Sequence, residues 1–144
     1  MPVDKFLVKA VIRHESKLDP SVYGSHGEIG LMQVTEGAGL DWARAVRQHD
    51  FGRNSLWDPS VNIEAGSWYL ARALNRWSDK EPEERIPFAL VEYNAGFGNV
   101  LRWLPHGQKT AAAEFVEVIS YRPVREYVTD VLENYEMYKA RGKL

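Results

Sequence analysis

Apolar residues in this chain recur at steps of three and four positions, and no segment of convincing length alternates apolar with polar residues. This spacing is typical of amphipathic helices with one buried face, whereas half-buried strands require alternation. No internal repeat is visible in the 144 residues. A chain of this length is expected to form one domain, residues 1–144, which buries roughly two-thirds of its unfolded surface. The predicted fold is mostly α, a compact multi-helix domain around a cleft.

Capping residues and prolines predict where the helices begin and end. Asp58 and Pro59 give the clearest start, because Asp caps a helix and Pro fits its first position. Pro87 is expected to start a later helix that Gly96 ends with a left-handed cap. Gly66, on the inward face of the helix after Pro59, indicates a close helix crossing. The other helices are predicted over residues 3–18, 40–48, 99–104, 111–119 and 124–138, and the charged stretch 79–85 is predicted to be a solvated linker.

Glu15 is a carboxylate on the apolar side of the first predicted helix. Its neighbours within roughly a quarter-turn of that helix are Leu7, Val11 and Leu18. Because Asp19-Pro20 is expected to stop the helix, Glu15 lies near its C-terminal end. Partial desolvation and the negative end of the helix dipole both favour the protonated acid, which is the form that a general acid requires. On position alone, a surface residue paired with Arg13 or Lys17 is the commoner outcome.

Composition and charge argue against several classes of partner and site. A net charge of −2 offers no broad basic surface, so nucleic acid is not an expected partner. The chain has no cysteine, which excludes disulfides and thiolate metal sites, and no metal or cofactor is expected. No apolar run has transmembrane length, and the first residues lack the features of a signal peptide. The five Trp and seven Tyr rings suit sugar faces, although core packing is their commoner use.

Four blocks of sequence carry a resemblance to a known family. They are IRHESKLDP at 12–20, GEIGLMQ at 27–33, DP at 58–59 followed by NIEAG at 62–66 and YL at 69–70, and YNAG at 93–96. In order and spacing the blocks resemble the catalytic domain of the soluble lytic transglycosylases, over nearly the whole chain. The resemblance implies a lysozyme-like α-domain that cleaves the β-1,4 bond between N-acetylmuramic acid and N-acetylglucosamine in peptidoglycan. The product would end in a 1,6-anhydro ring.

The resemblance places Glu15 at the position of the family's catalytic glutamate. One carboxylate is sufficient if the sugar's N-acetyl oxygen supports the oxocarbenium-like centre and its C6 hydroxyl then attacks. Glu15 would first protonate the leaving oxygen and then accept the proton of the C6 hydroxyl. The resemblance also implies a set of substrate-binding residues, namely Ser16, Met32, Gln33, Tyr93, Asn94, Glu117 and Tyr127.

These residues have different expected roles. Met32 and Gln33 are expected to line the glycan cleft, with Gln33 able to donate and accept hydrogen bonds towards an acetamido group or a hydroxyl. Tyr93 is expected to orient the acetamido group near the acid, and Asn94 to stabilise the turn at the helix end. For Ser16, a contact to the helix end or the carboxyl and a local backbone hydrogen bond are equal alternatives.

Other positions in the blocks set the shape of the loop or depart from the family pattern. Gly27 and Gly30 are expected to permit a tight loop. The chain has Gly24 where the family usually has a serine, Glu28 and Glu92 where it has small residues, and Pro123-Val124 where it has a Glu-Thr pair. A second cleft glutamate is therefore missing from that last block. Glu28 is the change that can add chemistry by positioning water, although a solvent-facing loop charge is the expected outcome.

Two other functions stay open at this point. One is a lysozyme-type hydrolase of the same bond, and the other is a non-catalytic peptidoglycan-binding module of a wall-spanning assembly. The implied partner is the peptidoglycan strand, with a cell-wall or secretion-system assembly as a further candidate. The substrate implies a periplasmic or cell-envelope location, and a monomer is expected.

Overall fold

The structure, a computed structural model, describes residues 2–144. These residues form seven α-helices: α1 (Lys5–Ser16), α2 (Glu36–Val46), α3 (Pro59–Asn75), α4 (Pro82–Ala95), α5 (Phe97–Arg102), α6 (Ala112–Val118) and α7 (Arg122–Arg141). Two 3-10 turns lie at Arg53–Trp57 and Gly107–Lys109. Pairing between extended segments of the described chain is limited to isolated bridges from Ile29 to Tyr23 and to Val34. The prediction of a mostly α fold is confirmed.

Helix α4 is the centre of the fold. All seven residues 86–92 are buried, and the helix packs against α3, α5, α6 and α7. A helix that is surrounded by others needs apolar residues on nearly every face. Phe88 of α4 stacks on Trp77 with ring centroids 4.3 Å apart and on Phe115 of α6 with centroids 4.5 Å apart. On another side of the molecule α1 packs along α7.

The first two helices have different ends from those predicted. Helix α1 stops at Ser16, because Lys17 and Leu18 adopt φ values of 53° and 67° and turn the chain before Asp19-Pro20 is reached. Helix α2 begins at Glu36 rather than at residue 40, because the Thr35 hydroxyl accepts a hydrogen bond from the backbone of its first turn. The turn at residues 17–18 places Glu15 at the very end of α1.

The prediction of a linker over residues 79–85 is wrong for its second half, since α4 already begins at Pro82 and Pro87 lies inside it. The charged side chains hold the helix start in place. Arg85 donates to two backbone carbonyls of the preceding turn, at 2.7 and 2.9 Å, and Glu84 accepts from a backbone N–H of α6 at 3.1 Å. At the other end Gly96 ends α4 with φ 88° and ψ 157°, a positive-φ conformation that favours glycine but whose ψ differs from that of the predicted left-handed cap.

The later helices also differ from prediction at their ends. Helix α5 spans 97–102 instead of 99–104, α6 is one residue shorter at each end, and α7 extends from 122 to 141. Pro123 lies in the first turn of α7, where its missing N–H leaves no helical hydrogen bond unmade.

Gly66 accommodates a loop residue rather than another helix. A Cβ at this position would lie 2.5 Å from the Met32 sulfur and 2.8 Å from the Met32 Cβ. The predicted close approach is therefore present, but the predicted helix crossing is replaced by contact with the loop that joins α1 to α2. The absence of a side chain at Gly66 allows that loop to lie directly on α3.

We expect Gly66→Ala to destabilise the protein by about 1–3 kcal/mol, because the added methyl must displace a buried methionine. Gly37→Ala is the matched control, since a Cβ at Gly37 in the first turn of α2 would meet nothing within 4 Å. There the substitution is expected to be neutral or to stabilise by up to about 1 kcal/mol. Urea unfolding of both variants measures the difference, and equal effects would contradict the proposed Met32 contact.

Candidate active site

The loop between α1 and α2 folds back on itself through backbone hydrogen bonds. Ile29 and Val34 exchange two bonds of 3.0 Å, and the Gly30 N–H donates to the Val22 carbonyl at 2.9 Å. Gly27 and Gly30 have φ values of 84° and 74°, a region that side chains disfavour. The tight loop predicted from these glycines is confirmed.

Asn62 of α3 joins this loop to the helix bundle. The residue is 1% exposed, and its Nδ2 donates to the carbonyls of Ile29 and Leu56 at 2.7 and 2.9 Å. Its Oδ1 accepts from the Met32 N–H at 2.8 Å. A Cβ on Gly30 would lie 2.6 Å from the Asn62 Nδ2, so only glycine leaves room for this amide. Two of these bonds fix the loop on α3, and the third fixes the 3-10 turn at Arg53–Trp57 on the same helix.

Glu15 is the penultimate residue of α1 and is half-buried. Burial is the main reason that its pKa is raised from 4.5 to about 7. The Tyr127 hydroxyl opposes this rise, whereas the negative charge of Glu28 adds to it. The raised pKa expected from the sequence is thus confirmed, and the carboxyl can both hold and release a proton near neutral pH.

Two tyrosines on different helices, the buried Tyr127 and the half-buried Tyr93, lie near Glu15. Tyr127 of α7 is 1% exposed, and its hydroxyl is buried without a hydrogen bond of ordinary geometry to the described residues. It nevertheless lies close enough to Glu15 to favour the ionised carboxylate. Tyr93 of α4 donates its hydroxyl to the Met32 carbonyl at 2.7 Å. Burial and the nearby carboxylate raise the pKa of both phenols well above their usual value, so both stay neutral around Glu15.

Gln33 and Met32 occupy opposite sides of the loop. Met32 is fully buried against Gly66, so a sugar can contact its side chain only if that side chain is uncovered. Gln33 is half-buried with φ 50°, and its Nε2 donates to the carbonyls of Val22 and Gly30 at 3.1 and 2.9 Å. Both amide hydrogens are therefore used inside the loop, which leaves Gln33 as an acceptor and not as the donor that we also expected.

A cavity of about 180 Å³ lies next to Gln33 and Tyr93. Gln33 and Tyr93 line it together with Tyr69, Gly66 and Glu92. The Tyr69 and Tyr93 rings meet edge to face, with centroids 5.9 Å apart. A larger groove of about 620 Å³ runs between the N-terminal residues, α2 and another face of α3, but Glu15 does not line it. Glu15 does not line the smaller cavity either, but Tyr93 does, and the Glu15 carboxylate acts on the Tyr93 phenol.

Three residues predicted at the substrate lie apart from this cavity. The Ser16 hydroxyl is buried and donates to the Ile12 carbonyl at 3.1 Å, which is the local backbone bond named as one alternative. Asn94 is exposed and lines a different groove beside Trp103, and the carbonyl of the helix end is bonded instead by Asn99. Glu117 is exposed on α6. Substrate contacts by these three residues stay predictions.

Glu92, a departure from the family pattern, is a buried carboxylate in the cavity wall. Its side chain is 2% exposed, and both of its oxygens accept from the Nε of Arg76, at 3.0 and 3.1 Å. The Arg76 side chain is 40% exposed and lies over the Phe97 ring at 4.3 Å. The arginine reaches solvent, whereas the buried carboxylate depends on the arginine as its charge partner.

Within residues 2–144, no group of three or more His, Asp or Glu side chains is arranged to hold a metal ion. The same part of the chain contains no helix that is both long and apolar enough to cross a membrane.

Two residues of the site, Asn62 and Glu28, were not predicted as site residues from the sequence. Asn62 appeared only inside a motif, although a polar residue one turn before Gly66 on an inward helix face is a signal of a buried hydrogen bond. Glu28 was expected to be a solvent-facing charge. Its side chain is half-buried and its charge acts on Glu15.

We expect Tyr127→Phe to raise the pKa of Glu15 above about 7, since the hydroxyl favours the ionised carboxylate. Stability should be unchanged or slightly higher, because a buried hydroxyl without a partner is removed at constant shape. NMR titration of the Glu15 carboxyl measures the shift. Tyr138→Phe on the same helix is the control, as its hydroxyl contacts Arg13. A pKa that is unchanged or lower in Tyr127→Phe would contradict the contact.

Arg76→Ala is expected to cost about 3–5 kcal/mol of unfolding free energy, because it leaves the buried Glu92 carboxylate without a partner. Glu92→Ala should cost much less, since the exposed Arg76 stays hydrated. The double variant should recover most of the loss seen in Arg76→Ala. Chemical denaturation of the three variants tests this asymmetry, and equal losses in the two single variants would refute it.

Comparison with known proteins shows similarity over most of the chain. The family described as the transglycosylase SLT domain matches residues 2–116. The soluble lytic murein transglycosylase of Salmonella typhimurium is 34% identical over 131 residues, which are 90% of this chain and 19% of the relative. Membrane-bound lytic murein transglycosylase C of Salmonella arizonae is 33% identical over 131 residues, 88% of this chain and 36% of the relative.

A solved structure agrees with these relatives. An inactive glutamate-to-glutamine mutant of the lytic transglycosylase Slt from Pseudomonas aeruginosa has a TM-score of 0.84 and 26% identity to this chain, covering 99% of it and 23% of that protein. This chain thus spans between 19% and 36% of the length of these relatives. Family profile, sequence identity and fold agree, and the chain belongs to the transglycosylase SLT domain family.

Proposed function

We propose that this chain is a peptidoglycan lytic transglycosylase that cleaves the β-1,4 bond between N-acetylmuramic acid and N-acetylglucosamine and leaves a 1,6-anhydro end on the muramic acid. The observation that carries the proposal is Glu15, a half-buried carboxyl with a pKa of about 7 that faces Tyr127 and Tyr93. Membership of the transglycosylase SLT domain family supports it. The Pseudomonas relative, whose glutamate-to-glutamine mutant is inactive, supports a reaction that depends on a glutamate.

In the first step, protonated Glu15 donates its proton to the glycosidic oxygen. The bond between that oxygen and C1 of the muramic acid breaks, and its electron pair stays with the departing N-acetylglucosamine oxygen. The N-acetyl oxygen of the muramic acid supports the positive charge that develops at C1. The Glu15 carboxyl is then a carboxylate, and a pKa near neutrality makes both of its forms accessible.

In the second step, the C6 hydroxyl oxygen forms a bond to C1, and the Glu15 carboxylate accepts the hydroxyl proton. This closes the 1,6-anhydro ring and restores the protonated acid without consuming water. Tyr127 supports the intermediate stage, because its hydroxyl favours the ionised carboxylate. A single enzyme carboxylate therefore completes the cycle, whereas a hydrolase generally uses two.

The cavity lined by Gln33, Tyr69 and Tyr93 accounts for substrate binding in this proposal. Gln33 offers its Oε1 as an acceptor, and the Tyr93 ring contributes to the wall while its hydroxyl is held by the loop. Tyr69 adds an aromatic surface of the kind that packs on sugar faces. Residues 1–144 are proposed to act as one catalytic domain without a cofactor, on glycan strands in the periplasm or cell envelope.

We expect Glu15→Gln to lower the release of anhydro-muropeptides from purified sacculi by about a hundredfold or more, because the amide cannot deliver a proton. Mass spectrometry of the digest tests substrate, bond and product together. Activity within a few-fold of wild type would refute the role of Glu15. Products with a reducing end that borohydride reduces would refute the transglycosylase reaction.

The same variant provides its own folding control. Because the pKa of Glu15 is raised in the folded state, the stability associated with its proton is present at low pH and is lost as the pH rises from about 4.5 through about 7. The glutamine has no proton to lose, so Glu15→Gln should be as stable as wild type at pH 4 and more stable at pH 8. Thermal unfolding at the two pH values separates loss of chemistry from loss of fold.

A further inference from the structure

Two side-chain oxygens converge above Gly24 in the active-site loop. A Cβ on Gly24 would lie 2.6 Å from the Oε1 of Gln33 and 2.7 Å from the Oε1 of Glu28. Since Gly24 does not have a positive φ, the space above it is the reason that glycine fits here, not its backbone conformation. The ends of the Glu28 and Gln33 side chains occupy the space that a side chain at this position would need.

Both side chains are held so that they present acceptors at this point. The two amide hydrogens of Gln33 are bonded to loop carbonyls, which directs its Oε1 towards Gly24. The Glu28 Oε1 accepts from the His26 N–H at 2.7 Å, which fixes the carboxylate but uses only one of about four acceptor positions. Two acceptors that face one point repel each other unless a donor lies between them.

We propose that Glu28 and Gln33 form an acceptor pair that binds a donor of the glycan strand, an acetamido N–H or a sugar hydroxyl, next to Glu15. The inference rests on the proposed function, since it assigns the pair to the same substrate. Gln33 connects the pair to the cavity that Tyr93 also lines. A neutral donor suits the site better than a cation, because bound substrate must leave Glu15 protonated for the first step.

The charge of Glu28 also acts on the acid. The groups that face Glu15 are Tyr127 from α7, Tyr93 from α4 and Glu28 from the loop, and both tyrosines stay neutral because their pKa values are raised. Glu28 is the charged member of this group, and its negative charge raises the pKa of Glu15. Removing that charge should therefore lower the pKa of Glu15 and move the high-pH decline in activity to lower pH.

Glu28→Gln separates binding from loop support. The amide oxygen of the glutamine retains the bond from the His26 N–H and the acceptor above Gly24, so the loop keeps its anchor while the negative charge is lost. We expect KM for solubilised glycan strands to rise up to about tenfold, because a hydrogen bond to a charged acceptor is roughly twice as strong as one to a neutral acceptor, and the high-pH limb to shift downwards. Glu133→Gln, on the exposed side of α7, removes the same charge elsewhere and should change neither.

A second pair of variants tests the packing above Gly24. Gly24→Ser in the wild-type background should displace Glu28 and raise KM by a similar factor. In the Glu28→Ala background the serine meets only the Gln33 Oε1, so Gly24→Ser should raise KM by less than it does in wild type. Additive effects of the two substitutions would contradict the shared position.

The outcomes distinguish this inference from the proposed function. If wild-type protein releases no anhydro-muropeptides, the proposed function fails whatever Glu28 does. Two readouts do not need turnover. The first is the affinity for a tetrasaccharide of alternating N-acetylglucosamine and N-acetylmuramic acid, measured on Glu15→Gln with and without Glu28→Gln. The second is the NMR titration of Glu15. If wild type is active while Glu28→Gln matches it in KM, affinity and pH limb, the acceptor pair is refuted. Loss on Glu28→Ala alone would then assign Glu28 to loop support.

Discussion

The three hydrogen bonds of the Asn62 amide are the interaction on which the candidate site depends. They connect α3 to the loop between α1 and α2 and to the 3-10 turn at Arg53–Trp57, and every bond ends on a backbone group of that loop or turn. The loop in turn accepts the Tyr93 hydroxyl and carries Gln33 and Glu28. A buried amide therefore sets the distances among groups that come from four separate parts of the chain.

The pKa of Glu15 results from three effects, of which two raise it and one lowers it. Burial favours the neutral acid, the Tyr127 hydroxyl favours the carboxylate, and the Glu28 charge favours the neutral acid again. No cation faces Glu15 among the groups that shift its pKa, so the proton is not displaced by a salt bridge. The result is a carboxyl whose two forms differ little in free energy near neutrality, as a group that gives and then takes one proton requires.

Most of the fold and the centre of the site were predictable from the sequence, because helical periodicity is a local signal. Helix ends were less predictable. Lys17 adopts a left-handed conformation that its residue type does not favour, and Pro82 was hidden in a charged stretch whose arginine and glutamate bond to backbone. The contact of Glu28 above Gly24 was not predictable, since it depends on how two ends of one loop pack together.

The backbone of Gln33 has a consequence for how this site can change. Its φ of 50° costs about 1 kcal/mol for a residue with a side chain, and glycine would adopt it freely. The chain nevertheless has an amide there whose nitrogen bonds to two loop carbonyls and whose oxygen lies above Gly24. The two bonds from the amide nitrogen contribute about 0.5–1.5 kcal/mol each and offset that backbone cost, so glycine at this position would gain no stability and would remove the acceptor.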